Sequence, residues 1–170
     1  MPAEILLAVD PALRATGYAV LARTGKKIAC VTFGTIKNLP KVQASGCLLA
    51  IREQISDLIK THQPQTMAIE GIIYVQSYQT AITMGAARAA AIIAATEKGL
   101  PVYEYAPRRV KQAVVGKGAA DKTQVAFMVR ALMGLTVTPP ADAADAIAIG
   151  FTHFQAVDAA AIRRTPLTSI

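Results

Sequence analysis

A mixed five-stranded α/β sheet with helices on both faces is the architecture this chain predicts, and three observations carry it. The run Ile5-Leu6-Leu7-Ala8-Val9-Asp10 is short, continuous and apolar, the pattern of a strand buried on both faces. Two more strand-like segments follow with little more than turns between them. From residue 42 onward, helical and strand patterns alternate. The resulting order, β-β-β-α-β-α-β-α, is that of three antiparallel strands extended into a mixed sheet.

The first strand covers residues 4–10. Residues 16–23 (Thr-Gly-Tyr-Ala-Val-Leu-Ala-Arg) and 28–36 are the next two, and Thr24-Gly25-Lys26-Lys27 supplies the hairpin turn between them. From Val42 to Ile59, the residues Leu48, Leu49, Ile51, Ile55, Leu58 and Ile59 recur at helical spacing, and Pro64 marks the exit. Met67-Ala68-Ile69-Glu70 is a strand, a second long helix is expected from about Gln76 to Lys98, and Val102-Tyr103-Glu104-Tyr105 is the last strand. A short helix over 107–115, the loop Gly116-Lys117-Gly118, a helix from Asp121 to Met133 and a final helix opening near Ala141 complete the chain. Asp121 is a good N-cap for its helix. The pattern weakens near Asp158. Residues 1–157 are therefore expected to form one domain, and 158–170, with Arg163-Arg164 before Pro166, a flexible basic tail. The topology is ribonuclease-H-like.

A chain of 170 residues fits one domain and can bury roughly 70% of its unfolded surface. The most apolar stretch, Ala81 to Ala95, is interrupted by Arg88 and too short to span a bilayer. No basic segment followed by an apolar core and a cleavage site opens the chain, so secretion is not expected. Cys30 and Cys47 lack metal-ligand spacing and suit reduced thiols in a cytoplasmic protein. Eighteen Lys and Arg against eleven Asp and Glu give a net charge of +7, which points to nucleic acid as the partner.

Two of the apolar strands end abruptly in a carboxylate, at Asp10 and Glu70, while Asp142 and Asp145 lie three apart at the opening of the last helix. Residues i and i+3 share a helix face, with about 5–6 Å between their Cβ atoms. If the two strands lie side by side and the helix crosses their ends, four carboxylates meet, an arrangement that divalent metal would neutralise. With those four charges cancelled, 18 basic residues face 7 acidic ones, a surface balance of +11. Oxygen-only ligands favour Mg²⁺ or Mn²⁺ over zinc. Two such ions about 3.5–4 Å apart can generate hydroxide and stabilise a leaving oxygen in phosphodiester hydrolysis. Taken singly, each acid also has an ordinary explanation: Asp142 as an N-cap, Asp145 as a first-turn acid, Asp10 in a turn and Glu70 at a strand end.

Several motifs then occur together: Val9-Asp10-Pro11 with Thr16-Gly17-Tyr18, Ala68-Ile69-Glu70, Gly85-Ala86-Ala87-Arg88, Val110-Lys111-Gln112-Ala113-Val114-Val115-Gly116, Lys122-Thr123-Gln124-Val125 and Asp142-Ala143-Ala144-Asp145-Ala146-Ile147-Ala148. With these the chain resembles the RuvC family of Holliday-junction resolvases from about Ile5 to Phe154. The resemblance implies that Asp10, Glu70, Asp142 and Asp145 are metal ligands and that Lys111 and Lys122 assist at the scissile phosphate. It implies a homodimer with two Mg²⁺ per active site, Mn²⁺ substituting, that nicks two opposing strands of a four-way DNA junction by metal-activated water in recombination and repair. The RuvA–RuvB branch-migration complex is a further candidate partner. Two departures stand out. Ala12 occupies a position where the family commonly has glycine, and Glu70 is followed by Gly71-Ile72-Ile73-Tyr74, which puts Ile73 where the family carries an aromatic wedge and Tyr74 one residue later. Two rival functions remain: a ribonuclease-H-like nuclease acting on hybrid or other branched substrates, and a junction-binding protein that has lost cleavage.

Arg108, Arg109, Lys111, Lys117 and Lys122 fall within fifteen residues and can meet phosphates. Ala81, Gly85, Ala86, Ala89, Ala90 and Ala94 give the second long helix a flank of small residues. That flank suits either a two-fold dimer or an Ala-rich core helix. His62 and His153 are not expected in the site; His153 lies about 12 Å beyond Asp145 along the helix.

Overall fold

The computed structural model describes residues 2–72 and 77–170, and within them one sheet is formed by β1 (Glu4–Asp10), β2 (Ala15–Thr24), β3 (Lys27–Lys37), β4 (Thr66–Glu70) and β5 (Val102–Tyr105). The helices are α1 (Ala44–His62), α2 (Tyr78–Thr96), α3 (Pro107–Val115), α4 (Lys122–Met133) and α5 (Ala141–Arg163). Strand order is β3-β2-β1-β4-β5; the first three strands pair antiparallel, and β4 and β5 add in parallel. The expected mixed five-stranded sheet is what forms.

Side-chain alternation divides the core into two layers. Leu6, Ala8, Ala19, Leu21, Ala68 and Tyr105 face α3, α4 and α5, whereas Leu7, Val9, Val20, Met67, Ile69 and Val102 face α1 and α2. Asp10 continues the Leu6–Ala8 side, and Glu70 continues the Ala68 side. Both acids therefore leave their strands on the face that α5 covers.

Capping distinguishes the starts of α4 and α5. Asp121 caps α4: its carboxylate accepts from the Gln124 N–H at 2.9 Å, and the Gln124 side chain accepts from the Asp121 N–H at 3.1 Å. For α5 the N-cap is Pro140, with no side-chain cap, so Asp142 is not consumed as one.

The end of α5 departs from expectation. Residues 158–163, assigned from sequence to a flexible tail, are helical, and the boundary expected after residue 157 falls inside α5. Arg23 contacts this part of the helix. Its guanidinium meets Asp158 at 2.7 Å and Glu4 at 2.6 Å and lies 4.7 Å from the Phe154 ring centroid, tying the last turns of α5 to β1 and β2. Beyond the helix, the Ile170 N–H donates to the Val102 carbonyl at 2.9 Å. Among the described residues, no helix is long and apolar enough to cross a membrane.

Candidate active site

The site is assembled by backbone pairing. In the parallel β1–β4 ladder Val9 is opposite Ile69, so Asp10 and Glu70 end adjacent strands at the same edge. In the antiparallel β1–β2 ladder Asp10 is opposite Gly17. Gly17 faces α5, and a methyl group there would overlap the Asp142 carbonyl, so the first turn of α5 lies directly on the β2 backbone. Farther along, a methyl group at Gly150 would come 2.5 Å from Leu21 Cδ1 and 3.2 Å from Ala8 Cβ. Two glycines, one on the sheet and one on the helix, thus let α5 settle close enough to bring Asp142 and Asp145 to the ends of β1 and β4.

The electrostatics follow from this crowding. Burial first, and then the Asp145 and Asp142 carboxylates, raise Asp10 to about 7 against the opposing pull of Lys122. Burial, then Asp10 and Asp145, raise Glu70 likewise to about 7, opposed by Lys122 and Lys111. The Lys122 ammonium stands 3.4 Å from Asp145 Oδ2, yet burial outweighs that pairing and Asp145 is raised as well. Asp145 in turn raises Lys122. Asp10, Glu70, Asp142, Asp145, Lys111 and Lys122 thus share one electrostatic neighbourhood.

The cluster fits a divalent cation in donor chemistry and charge: its donors are carboxylates only, and burial together with neighbouring carboxylates raises two of them, Asp10 and Glu70, to about 7. Among the described residues no three His, Cys, Asp or Glu side chains form a closed metal-ligand group, and the Lys122 ammonium is paired with Asp145.

The other basic candidates lie outside the acidic cluster. Arg108 is exposed and packs along the Gly118 backbone, where a methyl group would meet its Cγ at 2.6 Å. Arg109 lies 5.3 Å from the Tyr105 ring centroid and lines a groove with Gln112, Thr152 and Gln155. Lys117 is exposed in the turn between α3 and α4. Ile73 and Tyr74 lie outside the described residues. Ala12 has no positive φ, and the buried Thr16 hydroxyl holds its loop, donating to the Ala12 carbonyl at 2.7 Å and accepting from the Ala12 N–H at 3.2 Å. Alanine therefore serves here without strain. His153 is buried, hydrogen bonded to the Tyr105 hydroxyl at 2.9 Å and lowered by burial to about 4, a neutral core residue.

A family model described as crossover junction endodeoxyribonuclease RuvC matches residues 6–153. The chain belongs to the RuvC family. A RuvC from Akkermansia muciniphila is 56% identical over 153 residues, covering 90% of this chain and 92% of the relative. The structure of Thermus thermophilus RuvC in complex with Holliday junction substrate superposes with a TM-score of 0.84 at 33% identity, covering 91% of this chain and 94% of that one. The yeast mitochondrial Holliday junction resolvase shares the fold, with a TM-score of 0.63 at 13% identity.

A RuvC site of this kind has a definite pH signature without metal. Asp10 and Glu70 have folded values above their unfolded ones, so each binds its proton more tightly in the native state. Their contribution to stability is complete below about pH 4 and is lost as pH rises through about 7. His153, lowered to about 4, contributes the opposite slope below its ordinary value. Comparison with Asp10→Asn isolates the carboxylate effect. In EDTA, the wild-type melting temperature should fall relative to Asp10→Asn as pH is raised from about 5 to about 8, and Mg²⁺ should restore it at the upper end. Parallel melting curves for the two proteins would contradict the buried-acid assignment.

Proposed function

We propose that this chain is a homodimeric, divalent-metal-dependent endonuclease that binds four-way DNA junctions and nicks two opposing strands. The convergence of Asp10, Glu70, Asp142 and Asp145 with Lys122 at the β1–β4 edge, in a chain of the RuvC family, carries the proposal. Asp10, Glu70, Asp142 and Asp145 would hold the ions, with Asp10 coupled to Asp145, Asp142 and Glu70. Bound Mg²⁺, or Mn²⁺ in its place, supplies an activated water and stabilises the leaving oxygen. Lys122, beside Asp145 at the same edge, would stabilise charge on the phosphate, and Lys111 would orient the strand. Arg108, Arg109 and Lys117 would add salt-sensitive contacts to the arms, with Ile73 or Tyr74 at the crossover. A cytoplasmic location and the RuvA–RuvB complex as a partner enter through family membership alone.

A panel of four-way junction, fork, linear duplex and RNA–DNA hybrid, each with Mg²⁺, separates this function from its rivals. Cleavage confined to the junction is expected. Preferred cutting of the hybrid would favour the ribonuclease-H-like alternative, and binding without cutting would indicate a junction-binding protein.

Dimerisation is supported by α2. Its small flank is divided: Ala90 and Ala94 are buried in this chain's own core, whereas Ala89 is exposed. Tyr78, Ile82 and Ile93, exposed by 91%, 67% and 49%, stand at helical spacing with Ala89 and form an apolar stripe. Ala89→Arg should weaken the dimer and turn paired cuts into single nicks, read by light scattering and by a cruciform plasmid that distinguishes nicked from linear product. Unchanged dimer mass with bilateral cutting would assign the stripe to something else.

A further inference from the structure

The backbone next to Glu70 contacts residues outside the acidic cluster. Gly71, the next residue, is buried, and its N–H donates to the Tyr105 carbonyl at 2.9 Å. A methyl group on it would come 2.9 Å from both Cδ and Oε1 of Glu104, so the backbone just past Glu70 rests on the Glu104 carboxylate. Strand alternation puts Glu104 there. It is the register partner of Ile69, which faces α1 and α2, so its side chain leaves the sheet on the opposite side from Glu70. On that side, Arg88 of α2 forms an ion pair with it. The two side chains keep 23% and 36% of their exposure, so the pair contributes little as a stabilising ion pair.

We propose that Arg88 and Glu104 are positioning residues that fix the backbone at Gly71 and so set the direction in which Glu70 presents its carboxylate. The proposal rests on Glu70 being a metal ligand, as set out above. Arg88 adjoins Ala89 on α2, so one helix touches both the outward apolar stripe and the strand end that bears Glu70. A shift of about 1 Å in a reacting group can cost on the order of a hundredfold, and side chains that orient metal ligands typically contribute about 10- to 100-fold in metal affinity.

The test is Mn²⁺ binding to the metal-free protein without DNA, followed by the electron paramagnetic resonance signal of free Mn²⁺. Wild type, Arg88→Met, Arg88→Lys and Glu104→Gln are compared, with melting curves and junction affinity in EDTA alongside. Arg88→Met and Glu104→Gln should bind Mn²⁺ about tenfold more weakly, with junction affinity in EDTA within about twofold of wild type. Arg88→Lys should recover part of the loss, because an ammonium reaches the carboxylate but lacks the guanidinium fork. Half-saturating Mg²⁺ for cleavage should rise in step. Glu104→Gln keeps the shape of the native side chain and serves if Arg88→Met does not fold. Wild-type Mn²⁺ affinity in either folded variant overturns the proposal. Absence of Mn²⁺ binding by the wild type would instead overturn the metal assignment and this proposal together.

Discussion

Asp145→Asn should abolish Mg²⁺-dependent junction cleavage, by at least about 10³-fold or about 4 kcal/mol of transition-state stabilisation, while leaving the junction bound. Asp145 is coupled to both strand-end acids and is paired with Lys122, so on the proposed assignment its loss removes a metal ligand and weakens the hold on that lysine at once. Junction affinity in EDTA should be unchanged or improved, since one negative charge facing phosphate disappears. Single-turnover cleavage and gel-shift binding measure the two effects separately. Near-normal nicking by the variant would remove Asp145 from the metal site.

The second large effect is expected from Gly17→Ala, which leaves every acidic residue intact. The added methyl group meets the Asp142 backbone carbonyl, which cannot rotate aside, so the first turn of α5 must lift away from β2. Overpacking of this kind costs about 1–3 kcal/mol of stability. Displacing Asp142 and Asp145 together, both proposed as ligands, should reduce cleavage about a hundredfold or more. Gly150→Ala is the internal control, because its methyl group crowds the Leu21 side chain and Ala8 Cβ under the middle of α5 rather than the backbone at Asp142. Its cleavage should fall far less. Equal cleavage by Gly17→Ala and wild type would show that α5 is not seated on β2 at Asp142.

Asp10 and Glu70 were legible because an apolar strand that stops at a carboxylate puts that charge at a sheet edge, and strand alternation fixes its side. The three-residue spacing of Asp142 and Asp145 gave a shared helix face, though a cap at Asp142 was equally allowed until Pro140 took that position. Gly17 was visible within its motif but not its purpose, since the contact that demands glycine joins residues distant in the chain. The same holds for the end of α5. Its weak pattern suggested a tail, and the Arg23–Asp158 pairing, 135 residues apart in sequence, is a contact that the local pattern could not show. On α2 the periodicity gave small residues but not their partition, because burial of Ala90 and Ala94 depends on where α1 and the sheet lie. Arg88 and Glu104 carried opposite charges with no sequence signal linking them.

The most direct measurement of the central claim is anomalous diffraction from crystals grown with Mn²⁺. Two peaks about 3.5–4 Å apart are expected, one shared by Asp10 and Glu70 and the other by Asp10 with Asp142 or Asp145. Manganese held elsewhere, or no peak within bonding distance of Asp10 and Glu70, would contradict it.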